Sequence, residues 1–306
     1  MAKARARRRA AELFTVAELI RHVATRLKRA KLTFAHGTAD PVAEAAFMVG
    51  ETLGVHPDRV AALTGKRVTA AQRQRVRDLV DERIRTRKPA AYLLKKIYMR
   101  GVPFAIDERA IVPRSYLGEI FQSEEFSGEV FSLLPDESKV RNILDLCTGS
   151  GCLAILAAMR FPNARVDAVD LSSDALQLAR KNVLDHRMTR RVCLLQGDLF
   201  APVKTKRYDL IVSNPPYVDA KGMAGLPPEC RHEPALAFDG GRNGIDMVRR
   251  IVDEAHRHLT PGGGLLCEVG RCRPALERAY PRMPFLWLDS EDSEGEVFWL
   301  DASRLR

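Results

Sequence analysis

From about residue 140 onward the chain alternates short apolar runs with amphipathic ones, and this rhythm limits its fold more than any other feature. "NILDL" (142–146), "RVDAVD" (165–170), "VCLLQ" (192–196), "YDLIV" (208–212) and "GLLCEV" (264–269) read as buried strands. Helical patterns fall between most of them, over 152–161, 173–185 and 244–259, the second with Ser172 or Ser173 as its cap. Strands that are apolar throughout and alternate with helices belong to a parallel sheet covered on both faces. The pattern therefore predicts an α/β fold. "FLWL" (285–288) and "VFWL" (297–300), separated by "DSEDSEGE", break the rhythm and read as an antiparallel pair at the sheet edge.

The first hundred residues read as helices. Thr15 and Glu18 make a capping box, and Val16, Leu19, Ile20, Val23 and Leu27 then share one face. Asp40 and Pro41 start a second helix whose stripe is Val42, Ala45, Ala46, Val49 and Leu53, with Gly54 at its end. Thr69 opens a third, with Val76, Leu79, Val80 and Ile84 inward and Pro89 as its stop. Residues 97–112 flank Gly101 with β-branched and aromatic residues, as a short hairpin does. The expected order is a basic, disordered tail (1–13), a helical domain (14–92), a hairpin linker (93–114) and the α/β domain (115–306).

Charge is uneven. The net value is +10, yet residues 1–100 carry 23 Lys/Arg against 9 Asp/Glu, a balance of +14. Either that end meets a nucleic-acid-rich partner or it is a solvated helical surface. The start, "MAKARARRRAAELF", lacks the apolar stretch of a secretory signal. No run of about 18 apolar residues exists to span a membrane. Six cysteines occur without a C-x-x-C pair, which argues against zinc and suits free thiols in the cytoplasm.

The chemistry gathers at the strand ends. After the first strand, Gly149-x-Gly151-x-x-Ala154 fits a ligand-approaching turn, a weak signal alone. Asp170 ends the next strand, 19 residues after Gly151, where an acid accepts ribose hydroxyls. Asp198 follows the third strand, with Leu199 and Phe200 beside it as a rest for an adenine ring. Together they argue for an adenosine-containing ligand. The fourth strand then runs into Asn214-Pro215-Pro216-Tyr217. The Asn214 side chain and the Pro215 carbonyl are two acceptors, Pro216 stiffens the turn, and Tyr217 offers a ring. Two acceptors at a fixed angle with a stacking face suit a planar conjugated –NH2, with positioning and electrostatics as the catalytic terms.

"LDLCTGSGC", "VDAVD", "GDLF" and "LIVSNPPYVDA" together resemble class I methyltransferases that take their methyl group from S-adenosyl-L-methionine and modify planar amino groups. The flanking "VPRSYLGEIF" (112–121) and "LPPECRHEPALAFDGGRNGIDMVRRI" (226–251) are similar to the HemK/Prm glutamine methyltransferases, and within them to the PrmB-type, ribosomal-protein branch. The likeness spans about 15 to 300 and is strongest over 89–270. It implies a Rossmann-like class I methyltransferase sheet with a small N-terminal helical domain for substrate recognition. It implies that Asp145, Thr148, Gly149 and Gly151 line the methionine end of the donor, Asp170 holds its ribose, and Asp198 with Leu199 its adenine. Asn214, Pro215, Pro216 and Tyr217 would hold a glutamine amide, with Asn214, Pro215 and Tyr217 catalytic. S-adenosyl-L-homocysteine would be the product, and no metal is required. The implied substrate is the third protein of the large ribosomal subunit, and the basic end leaves a contact with ribosomal RNA or an assembling particle as an expectation. Cys147 stands where class I enzymes usually place their first glycine, and Tyr116 where the family more often has proline. His232 is read as structural, hydrogen-bonded within the loop over the site, and Arg114 and Glu119 as braces of the interdomain hairpin. A release-factor glutamine methyltransferase, a nucleic-acid adenine methyltransferase and a non-catalytic ribosome-assembly module are the alternatives.

Overall fold

The computed structural model describes residues 14–123, 132–134, 136–290 and 293–305. The tail read over 1–13 lies outside them. Contacts divide the chain into two units, one of residues up to Pro103 together with Pro227–His232, the other of Phe104–Leu226 and Glu233–Arg306. No pattern in the sequence marks 227–232 as a member of the helical unit.

In the helical unit, Thr15 and Glu18 form the capping box of α1 (Val16–Arg29), which buries the expected stripe plus Ala24. Asp40 caps α2 (Pro41–Leu53), and Gly54, at φ 68°, closes it. Its buried face keeps Ala45 and Val49 of the predicted stripe but is rotated away from Val42. Glu44, Ala45, Phe47, Met48 and Val49 point inward, and Val42 is 57 % exposed. The alanine-rich stripe loses to the face carrying the larger Phe47 and Met48, which bury more apolar area. The same rotation brings Glu44 inward to meet a cation on α3 (Ala70–Thr86), which buries Val76, Val80 and Arg83. Arg83 Nε donates to Glu44 Oε1 at 2.9 Å, and its other nitrogens donate to the carbonyls of Arg87 (2.9 Å) and Thr33 (3.3 Å). Removing one partner of a buried pair strands the other charge. Arg83→Met is expected to destabilise the chain by about 3 kcal/mol, with Glu44→Leu added to it restoring most of the loss in chemical denaturation.

A hairpin of β1 (Lys96–Met99) and β2 (Val102–Ala105) follows. Its two turn residues, Arg100 and Gly101, both have positive φ (51° and 77°), as a tight hairpin turn requires. It ends at Ala105, short of the expected residue 112.

The second unit is the α/β layer structure. Its elements are β3 (Asn142–Leu146), α4 (Cys152–Arg160), β4 (Arg165–Asp170), α5 (Ser173–Asp185, capped by Ser172), β5 (Val192–Gln196) and β6 (Tyr208–Ser213). Then come α6 (Asp246–Ala255), β7 (Leu259–Glu268), α7 (Arg273–Ala279), β8 (Leu286–Ser290) and β9 (Ser293–Asp301). The sheet order is β5-β4-β3-β6-β7-β9-β8. β3 to β7 pair in parallel and the last two strands antiparallel, at the edge. β7 begins five residues before the predicted start at 264, and α6 is shorter than 244–259. Strand order reverses between β3 and β6, which opens a crevice at their carboxyl ends. Leu146 on β3 pairs with Ser213 on β6, and Ser213 with Cys267 on β7. Leu146, Ser213 and Cys267 therefore stand at one level, and Cys147, Asn214 and Glu268 follow them. Among the described residues, no helix is long and apolar enough to cross a membrane.

Candidate active site

The turn after β3 uses three left-handed residues, Cys147 (φ 60°), Gly149 (56°) and Gly151 (79°). Cys147 is not glycine, so the turn stores strain of about 1–2 kcal/mol. A Cβ on Gly149 would meet nothing within 4 Å, whereas one on Gly151 would lie 3.1 Å from Ala179 Cβ. Gly149 leaves open space for a ligand, and Gly151 lets α4 and α5 close up. Asp170 ties the turn to β4. Its Oδ2 accepts the Gly149 N–H and its Oδ1 the Ser172 N–H, both at 2.8 Å. Burial pushes the Asp170 carboxyl up, and these backbone donors pull it back.

A cleft of about 780 Å³, part of it open solvent, lies on this turn. It brings together Gly149, Asp170, Asp198, Leu199, Asn214 and Pro216. Asp145, Thr148, Gly151, Pro215 and Tyr217 are not among its lining residues. Cys147, Leu171, Met247, Ile111 and Ala237 line it without having been predicted. Leu171 was the most legible of these, since it directly follows the strand-ending acid and is 52 % exposed. Residues 109–111 and 234–237 come from loops, where no periodicity points to a site. Asp198 accepts from Arg250 Nη2 at 2.7 Å.

Asp145 sits behind the turn and is buried. Its Oδ2 accepts the Thr148 hydroxyl at 2.5 Å, and its Oδ1 has no hydrogen-bond partner among the described residues. Burial pushes its carboxyl up to about 7. With the folded value raised, its contribution to stability is fully present below the unfolded value and is lost as pH rises through about 7. Asparagine carries no such dependence. Asp145→Asn is therefore expected to gain stability relative to the wild type between about pH 4 and about pH 8, as read by thermal melts.

β6 ends at Ser213, whose hydroxyl donates to the Leu146 carbonyl at 2.9 Å. The turn that follows carries two free acceptors. Among the described residues, neither the Asn214 side chain nor the Pro215 carbonyl has a hydrogen-bond partner. Asn214 is half-buried and lines the cleft. The proline between strand and tyrosine has no N–H to fold back on these oxygens. Tyr217, expected as a stacking face, is anchored from the β7 side. Its hydroxyl donates to Glu268 Oε1 at 2.9 Å. Its ring covers Gly270, where a Cβ would come within 2.6 Å of the ring. A buried tyrosine hydroxyl needs a partner, and Glu268 provides it.

The Methyltransferase small domain family model matches residues 128–225. The ribosomal protein uL3 glutamine methyltransferase of Bradyrhizobium diazoefficiens is 59% identical over 295 residues, 96% of this chain and 92% of that one. Its namesake in Burkholderia pseudomallei is 42% identical, with 95% of each chain covered. That of Bordetella pertussis is 43% identical, covering 96% of this chain and 97% of its own. The chain belongs to the ribosomal protein uL3 glutamine methyltransferase family.

In this member of the uL3 glutamine methyltransferase family, two buried acids organise the loops around the cleft. Glu268 closes β7 and is fully buried. Besides Tyr217, it accepts the Ser115 hydroxyl at 2.6 Å and the Tyr116 N–H at 3.0 Å. Burial pushes its carboxyl up to about 7 against these donors. It was missed in the sequence, although a lone acid inside "GLLCEV" is a readable signal. Glu233 takes both Arg114 nitrogens, at 2.9 and 3.0 Å, and the Val112 N–H at 2.9 Å. Arg114 thus braces the loop before Pro234. His232 lies in the helical unit, where its Nε2 donates to the Thr86 carbonyl at 2.9 Å. Its partner is the end of α3, not the loop it was expected to stay within.

Proposed function

We propose that this chain transfers a methyl group from S-adenosylmethionine to the side-chain amide nitrogen of a glutamine in ribosomal protein uL3, as a PrmB-type enzyme. The observation that carries this reading is the pair of unengaged acceptors, on Asn214 and Pro215, beside a cleft lined by Asp170 and Gly149. A primary amide has two N–H groups in one plane. Two acceptors in a stiff turn hold both, draw charge onto the nitrogen, and leave one face of it toward the cleft.

The cleft suits the donor. Asp170 keeps a partly accessible carboxylate for ribose hydroxyls, Gly149 leaves the backbone open, and Leu171, Leu199 and Met247 supply apolar walls. The orphaned Asp145 Oδ1 fits a cationic amine at the methionine end, with Thr148 and Gly151 behind the turn. Asp198 and Leu199 serve the adenine. When bound, the donor supplies an electrophilic methyl on a sulfonium. The chain's residues hold the amide in line with it. The new bond is N–CH3, the broken one is S–CH3, and the surplus N–H proton passes to water. No cysteine serves as nucleophile in this scheme, and burial pushes the Cys147 thiol up.

The helical unit is the proposed recognition element. The +14 balance of residues 1–100 fits contact with ribosomal RNA or an assembling particle in the cytoplasm. Incubating the protein with labelled donor and unmethylated uL3 is expected to label one glutamine. Label on a release factor or on DNA, with none on uL3, overturns the substrate assignment.

A further inference from the structure

The acid that ends β7 is not used by the chemistry above, yet it touches both loop motifs around the cleft. We infer that Glu268 is the positioning residue of the Asn-Pro-Pro-Tyr turn, fixing where Asn214 and Pro215 present their acceptors; the inference rests on the amide-binding reading of that turn.

Its neighbours Leu265, Leu266 and Cys267 on β7, and Val269 just after it, are all buried and apolar. An acid is the poor choice for packing there, because burying a carboxylate is unfavourable unless donors surround it. Three donors do. The Tyr217 hydroxyl reaches Oε1, and the Ser115 hydroxyl and Tyr116 N–H reach Oε2. The carboxylate therefore joins the end of β7 to the turn after β6 and to the 113–116 segment.

Tyr217 makes this connection effective. Two consecutive prolines leave residues 214–217 few free dihedrals, so the turn behaves as a short lever with the ring at its far end. The lever is held at three places by one segment. Glu268 holds the hydroxyl, Gly270 seats the ring, and the Cys272 thiol donates to the Tyr217 carbonyl at 3.0 Å. Glu268 itself stands level with Asn214 across the sheet. Releasing the hydroxyl lets the ring pivot over Gly270 and carries Asn214 with it. Donor contacts at Asp170 and Gly149 belong to other strands and stay in place.

Glu268→Gln is isosteric but has one oxygen and one NH2, so it cannot serve donors on both sides. In the full-length variant, kcat/KM for uL3 is expected to fall about 10–100-fold, the loss that a small misplacement produces. Affinity for S-adenosylhomocysteine, read by calorimetry, is expected to stay within about 3-fold, and hydrogen exchange of 213–219 to rise while that of 145–151 does not. Combined with Tyr217→Phe, the effect on kcat/KM is expected to be less than additive, because both act through one hydrogen bond. Unchanged kcat/KM, a parallel loss of cofactor affinity, or full additivity overturns the inference. If the glutamine variant does not fold, Tyr217→Phe and Ser115→Ala carry the same measurements. Wild-type protein that leaves uL3 unmethylated overturns the proposed substrate instead, and exchange of 213–219 still decides the brace.

Discussion

Asn214→Ala is expected to lower kcat for glutamine methylation by about 100–1000-fold, the range seen when one preorganised polar group is removed from a site of developing charge. Donor affinity is expected to stay near wild type. The asymmetry follows from the placement of the residue. Asn214 leaves β6 with an amide that has no partner among the described residues, so alanine strands none of their donors or acceptors. The loss falls on the bound substrate, whose second N–H is left without its preorganised acceptor. Asn214→Asp is the informative companion. A carboxylate accepts as well as an amide, but it adds a charge that holds the glutamine without the geometry of the neutral pair. Activity between alanine and wild type is expected for it. A single-turnover assay separates these effects from substrate docking, and an alanine variant with wild-type turnover would remove Asn214 from the chemistry.

The turn was legible because it violates local rules. A buried strand that runs into two prolines has no packing reason to do so, and the glycines after β3 and the acid ending β4 repeat the same exception. Strand boundaries were read to within a residue for β3, β4 and β5 because each is a short apolar run with turn residues on both sides. Position inside the site was harder. Tyr217 read as a stacking face because an aromatic after two prolines invites that role, but only tertiary structure shows Glu268 beneath it. The stripe of α2 was right at Ala45 and Val49 and wrong at Val42 for a related reason. Periodicity places Val42 and Glu44 at different angles of the helix but cannot say which angle finds a partner, and the partner, Arg83, is 39 residues away. Loop residues such as Ile111 and Ala237 carry no period at all. Segment 227–232 looked continuous with the loop after β6, yet Glu229 accepts the Thr33 N–H at 3.0 Å and pairs with Arg87 at 2.6 Å within the helical unit.

Asp170→Ala is expected to weaken donor binding by about 100–1000-fold, from the loss of hydrogen bonds to a charged acceptor worth about 1.5–3 kcal/mol each. The carboxylate does two jobs at once. It anchors the Gly149 and Ser172 N–H groups through separate oxygens, and it lines the cleft where ribose hydroxyls would rest. Alanine loses both, and it leaves two backbone donors near the floor of the cleft unsatisfied. Asp170→Asn divides the roles. Its single oxygen serves one of the two backbone donors, so part of the turn geometry is lost, and its NH2 repels a ribose O–H only when that hydroxyl must donate. An intermediate loss, about 10–100-fold, is expected. The pattern opposes that of Asn214→Ala. At saturating donor, Asp170→Asn should recover most of kcat, because the proposed amide site lies on the turn after β6 and not on β4. Calorimetry with S-adenosylhomocysteine and turnover at two donor concentrations test this directly. Equal damage to binding and to saturated turnover would mean that the β3 turn and the β6 turn do not act as separate holders of donor and amide, and the division of labour drawn from the strand order would fail with it.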